Sequence, residues 1–446
     1  MPKKNFILIA LDTLRAEQMS SYGYHVPTSP NMDMMGAQGL QFKNAYSEAR
    51  CTHPSFTTML TGVHCLSHRV VTHCGRIKKH EEYPMVGEYL QEAGVKTVAI
   101  DNLASTWHSW VPETEMVVEP LWFTEGFDTY DDYGLLKQTS LKTKKNAGEL
   151  VDKAYEHLKA LKDDSFFMFL HTWDPHTGYF PPPPFDKVFY ARDEKDPKYT
   201  SMVKAREDMG TTIDDWHGGS TVDVTDADWF IAQYDGAIAY TDYQMGRLRI
   251  MLQELGIAED TTILITADHG ENMLEHLPYF GHGGLWDKCL RVPMIAYRPG
   301  DEAQPKASDA IASHIDIVPT ILNHFGVEIP EHMHGFDLFD LAAGNVEGRE
   351  WAYSMTDGEV GAHNGRYHLM APYDDTADSP EGKEFYDLVE DPDEQNNIAA
   401  EKWEIAGPMF KQLAEYMRNT LAEAGHDHPW IEEWDLLSKA RAARKK

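Results

Sequence analysis

Positive charge is scarce in this chain. Its 446 residues carry 40 lysines and arginines against 72 aspartates and glutamates, a formal net charge of −32. A surface this acidic is repelled by phosphate backbones and anionic lipid heads, which excludes nucleic-acid or membrane-surface binding without a local basic patch. Cysteine is scarcer still. Cys51, Cys65, Cys74 and Cys289 form no CxxC pair, so reduced thiols are expected rather than a disulfide framework. Long hydrophobic runs are also missing. The opening MPKKNFILIALD holds an apolar stretch of only about seven residues, too short to span a bilayer, and no small-residue cleavage site follows. It reads as a first strand, and a cytoplasmic protein is the expectation.

What is present fits a soluble globular chain, with 42% hydrophobic and 25% charged residues. Five apolar, β-rich runs stand out, at 5–11, 95–100, 165–170, 261–267 and 292–298. They are near-continuous rather than alternating, as strands covered on both faces are. Helical stretches lie between or after them, at 145–162, 226–255 and 314–325. This alternation predicts an α/β domain around a mostly parallel sheet sandwiched by helices. The run GYFPPPPF (178–185) must be extended surface chain, because proline cannot continue a helix or a central strand. From about residue 350 the chain changes to short segments rich in Asp, Gly and Pro, then a helix near 401–424 and a basic tail ending ARAARKK. The expected division is a catalytic domain over 1–348 and a small α+β C-terminal domain with a helical tail over 349–446.

Asp12, Asp101, Asp174 and Asp268 each follow an apolar run directly or within a few residues. In an open parallel sheet the strand C-termini face one crevice, where ligands bind. A single aspartate there most often caps the next helix. Four sharing one edge would repel each other without a cation. Asp12 and Asp268 read as metal ligands, with His269 adding a nitrogen next to Asp268; Asp101 reads as a cap or turn.

The segment AYSEARCTHPSFTTMLTG (45–62) resembles the sulfatase signature of the alkaline phosphatase superfamily, in which cysteine or serine is followed by x-P-S-R and, further on, T-G. Aligned on Pro54, Ser55, Thr61 and Gly62, the nucleophile position falls on Thr52; Cys51 sits one residue early, and Phe56 replaces the arginine. Further segments are similar to the family's successive core motifs: 8–24, 172–185, 234–248, 266–284, 290–296, 314–322 and 384–399. The resemblance implies an alkaline-phosphatase-like fold and a divalent metal ion, with Mn, Zn, Ca and Mg all compatible. It implies metal ligation by Asp12, Thr52, Asp268 and His269, and catalytic roles for Thr52, His176 and His282. A second metal held by Asp174, His176 and His282 is a variant of the same scheme.

The departures bear on the substrate. With Cys51 out of register and no arginine at Phe56, no formylglycine is expected. A threonine ester must be opened by water at the transferred atom, which is feasible at phosphorus and much harder at sulfur. The family's K-W-H clamp aligns with Asn102, Leu103 and Ala104, so its cations are missing, and Thr13 stands where many relatives carry a second aspartate. The resemblance therefore implies a metal-dependent hydrolase of phosphodiesters or phosphonate monoesters acting on a small anionic ester. The alternatives are a sulfatase with a non-formylglycine nucleophile and an inactive binding homologue. No nucleic-acid or membrane partner is expected, and a homo-oligomer stays open. The Trp-rich segment 106–123 reads equally as a pocket wall or as packing, and the basic tail 435–446 as a solvated helix end or an arm to a neighbouring subunit.

Overall fold

The computed structural model describes residues 4–72, 78–101, 103–104, 121–132, 146–219, 221–300, 306–356, 358–373 and 378–432. Cys74, Asn102, most of the Trp-rich segment and the basic tail lie outside these residues.

The first sheet has eight strands: β1 Asn5–Leu11, β2 Leu40–Tyr46, β3 Lys96–Ile100, β4 Thr129–Asp131, β5 Phe166–Thr172, β6 Thr261–Ala267, β7 Met294–Tyr297 and β8 Ala307–Ser313. Their order is β4-β3-β5-β1-β6-β7-β2-β8. All neighbours run parallel except β7, which is antiparallel to both β6 and β2. The five apolar runs are all strands of this sheet. β2, β4 and β8 carry no comparable run: LQFKNAY and ASDAIAS mix polar residues into strands on the far side of β7.

Every residue of β1, β5 and β6 is buried. Alternate side chains of β1 feed different cores: Ile7, Ile9 and Leu11 pack into one, Phe6, Leu8 and Ala10 into the other. Each large apolar side chain so buried contributes about 1.5–3 kcal/mol, so the strands tolerate no polar face. The helices used below are α1 Pro30–Gln38, α2 Thr52–Thr61, α3 Ala147–Leu161, α4 Ala227–Glu254, α5 Ile317–Phe325 and α6 Trp403–Ala424. α3 and α4 cover the first core, while α2 and α5 cover the second. The starts of α3 and α4 are set by Asn146 and Asp226, whose side chains accept from the first-turn amides Gly148 N and Asp228 N.

After residue 350, β9 Ala352–Thr356, β10 Glu359–His363, β11 Tyr367–Pro372 and β12 Glu384–Asp387 form a separate antiparallel sheet in the order β12-β11-β10-β9, with α6 packed on it. Among the described residues, no helix is long and apolar enough to cross a membrane, and Cys51, Cys65 and Cys289 are buried and in no disulfide.

Candidate active site

The four aspartates stand at the C-terminal ends of four adjacent parallel strands, β3 (Asp101), β5 (Asp174), β1 (Asp12) and β6 (Asp268). Register decides which of them meet. Ala10 of β1 pairs with His171 of β5, and Leu11 pairs with Ala267 of β6. Asp12 and Asp268 therefore leave the sheet side by side.

The β1–β6 end is short of hydrogen-bond donors. Asp268 Oδ1 accepts from the backbone N–H of Thr13 (3.0 Å) and of His269 (2.8 Å), but its Oδ2 has no partner. Thr13 reaches it by adopting a left-handed φ of 61°, unusual for a β-branched residue and maintained only because the surrounding contacts demand it. Asp12 Oδ1, Thr13 Oγ1 and His269 Nε2 are likewise buried without partners. His269 Nδ1 lies 2.9 Å from the Gly270 carbonyl, which can only accept, so Nδ1 carries the hydrogen and Nε2 presents a lone pair. That lone pair faces Asp268 Oδ2 at 3.3 Å, two acceptors turned toward each other. Ligand atoms of Asp12, Asp268 and His269 all lie within 4.8 Å of one another, and among the described residues this is the one such group. Burial and the neighbouring Asp268 charge raise Asp12 to about 6. A divalent cation would satisfy Asp12, Asp268 and His269 together, and their O, O, N donor set suits hard divalent ions or zinc.

The β3–β5 end is built differently. His171, fully buried, places Nδ1 2.7 Å from Asp101 Oδ1 and Nε2 3.4 Å from Asp12 Oδ2. Burial opposes its charge, yet the two carboxylates outweigh burial and lift the imidazole to about 10. Asp101 Oδ2 accepts from Leu103 N (2.9 Å) and Tyr130 Oη (2.5 Å). It makes the expected turn contact and, in addition, holds His171. Asp174 Oδ2 accepts from Ala147 N at 2.9 Å, capping α3. Among the described residues, Asp174, His176 and His282 do not converge as a second ligand group.

Thr52 is the first residue of α2 and 2% exposed, with Cys51 in the N-cap position. The helix start is tied to the end of β6: Ser55 Oγ donates to the Asp268 carbonyl (2.5 Å) and lies 3.2 Å from His314 Nδ1, while His314 Nε2 is 2.9 Å from the Ala267 carbonyl. Phe56, in the arginine's place, lies against the His171 ring, centroids 4.5 Å apart. Leu103, aligned with the family's clamp, is fully buried in the core. His282 lies against His269 (ring centroids 4.4 Å) and so adjoins the ligand group, while His176 lies on its other neighbour, the His282 ring (5.5 Å). Burial and the Arg50 charge lower His282 to about 4.

Three residues escape sequence reasoning. His171 closes a fully apolar strand, and a titratable side chain at that position was the available signal. Glu271 sits two residues beyond His269, is fully buried, and is raised by that burial to about 7. Arg50 reaches Thr356 Oγ1 (2.6 Å) and the His282 carbonyl (3.4 Å), placing a guanidinium beside His282 that no alignment to the clamp would reveal.

The sulfatase family profile matches residues 4–327, and the profile of the N-sulphoglucosamine sulphohydrolase C-terminal region matches 275–423. An arylsulfatase of Clostridium perfringens is 24% identical over 94% of each chain. A multifunctional alkaline phosphatase superfamily protein of Trinickia caryophylli is 23% identical over 77% of this chain and 78% of its own. The crystal structure of the phosphonate monoester hydrolase of Agrobacterium radiobacter superposes with a TM-score of 0.71 at 18% identity, covering 95% of this chain and 96% of that one. With the family profile spanning well over half its length, the chain belongs to the sulfatase family of the alkaline phosphatase superfamily and is a hydrolase of that family.

Proposed function

We propose that the protein hydrolyses phosphodiesters or phosphonate monoesters, with Thr52 as nucleophile. The observation that carries the reading is the start of α2, where a threonine stands first in a helix anchored through Ser55 to Asp268, and Phe56 replaces a cation next to it. Asp12, Asp268 and His269 would hold a divalent ion, with Thr52 Oγ its further ligand, and that ion supplies charge for lowering an alcohol pKa and for neutralising a developing oxyanion.

The chain's own groups do the rest. The α2 N-terminus presents a partial positive charge to an anionic ester. Thr52 gives up its hydroxyl proton to water, and its Oγ attacks phosphorus as the bond to the departing oxygen breaks with the electron pair on that oxygen. His176, half-exposed beside His282, gives the departing oxygen its proton, a contribution of roughly 10²–10⁴-fold when well placed. Water then opens the threonine ester. Arg50 reaches the His282 carbonyl, while Leu103, buried in the core, brings no cation where the family's clamp carries one. Loss of that clamp charge suits a monoanion better than a dianion.

Sulfate ester hydrolysis is the second reading, favoured by the names of relatives such as the arylsulfatase. Purified protein assayed on nitrophenyl phosphodiesters, phosphonate monoesters, phosphomonoesters and sulfates, beside Thr52→Ala, separates the two. The first reading requires diester or phosphonate turnover that Thr52→Ala abolishes. Dominant sulfate turnover, or formylglycine at Cys51, overturns it.

A further inference from the structure

We infer that Glu271 and His282 act as one unit, in which Glu271 is the positioning residue that makes His282 the base for water in the second half of the reaction. This rests on the Thr52 reading above.

The backbone brings the two together. After β6 the chain doubles back, and Asn272 bridges Gly281 with its N–H donating to the Gly281 carbonyl at 2.8 Å. Residues 271 and 282 are therefore neighbours across the turn. Glu271 Oε1 lies 3.1 Å from His282 Nδ1, and Oε2 accepts from Thr177 Oγ1 (3.2 Å) and Tyr179 Oη (3.0 Å). Two hydroxyl donors thus fix Oε2 of a fully buried carboxyl group and leave Oε1 facing His282. With Glu271 ionised, His282 Nδ1 carries its hydrogen toward the carboxylate, and Nε2 is the nitrogen that exchanges the reacting proton. A carboxylate on Nδ1 selects the tautomer and stabilises the imidazolium as it forms, as the aspartate of a hydrolytic triad does. The ring lies against His269 and His176 and so borders the reaction.

The water oxygen bonds to phosphorus while His282 Nε2 takes one of its protons. The bond between phosphorus and Thr52 Oγ breaks with its electron pair on Oγ. The proton on Nε2 then passes to that oxygen, restoring threonine and neutral histidine. Release of a nitrophenolate, a good leaving group, in the first half needs no help from this pair.

Rapid mixing with a nitrophenyl phosphonate monoester, followed by an acid quench and mass spectrometry, tests the inference on wild type, Glu271→Gln and His282→Asn, all as metal-loaded full chains. Both variants should release about one equivalent of nitrophenolate in a burst within roughly threefold of the wild-type rate, then turn over about 100-fold more slowly, with the phosphonyl group trapped on Thr52. The burst itself reports an intact site, so a folding defect cannot imitate this result. Burst and turnover lost together with no adduct, or turnover like wild type, would overturn the inference. The nucleophile reading fails separately: Thr52→Ala releasing nitrophenolate at the wild-type rate, or a wild type inert to the ester, defeats it whatever Glu271→Gln does.

Discussion

Four aspartates at the ends of adjacent strands have two different fates. At the β3–β5 end the protein satisfies its own charges: Asp101 collects His171, Leu103 and Tyr130, and Asp174 caps α3. At the β1–β6 end it does not, and Asp12 Oδ1, Asp268 Oδ2 and His269 Nε2 stay buried without partners. Buried polar atoms left unpaired cost about 1–3 kcal/mol each, and unpaired charges cost more. The same residue type, equally buried on the same sheet edge, is paired by the protein in one place and left with an unpartnered oxygen in the other. His171 joins the halves by sharing its imidazolium between Asp101 and Asp12.

Substitutions should separate the two ends. The largest effect is expected from Asp268→Asn, which removes a ligand without changing shape: bound metal falls below stoichiometry and kcat/KM drops at least about 10³-fold. Asp101→Asn acts on the other end. It leaves a buried imidazolium with one carboxylate instead of two, and urea unfolding should record a loss of about 3 kcal/mol while metal content is retained. Chelation of the wild type comes next, lowering stability by about 2.7 kcal/mol relative to metal supplied at 100 times its Kd. Smallest is Asp174→Ala, which removes a helix cap for about 1 kcal/mol and leaves metal content unchanged. Metal loss in Asp174→Ala would erase the distinction between the ends and revive a second metal position.

The convergence of Asp12 and Asp268 was legible because both directly follow continuous apolar strands, a pattern that survives without knowing strand order. His171 was hidden because its role depends on the pairing of β1 with β5, which places it between Asp12 and Asp101, and no local pattern encodes register. Glu271 was hidden for a related reason: its partner lies across a turn defined by one bridge. β2 and β8 escaped because strands such as ASDAIAS carry exposed polar residues and lack a hydrophobic run. The helices at Ala147–Leu161 and Ala227–Glu254 fell within a few residues of expectation, since their cap residues Asn146 and Asp226 are visible in the chain itself.

The unpartnered atoms at the β1–β6 end call for a cation that the fold itself does not supply. Thermal unfolding of metal-stripped wild type and Asp268→Asn, each titrated with Mn²⁺ and with Zn²⁺, addresses this most directly. The account predicts a Tm that climbs with ion concentration in the wild type and stays flat in Asp268→Asn. An equal climb in both proteins, or none in either, would contradict it.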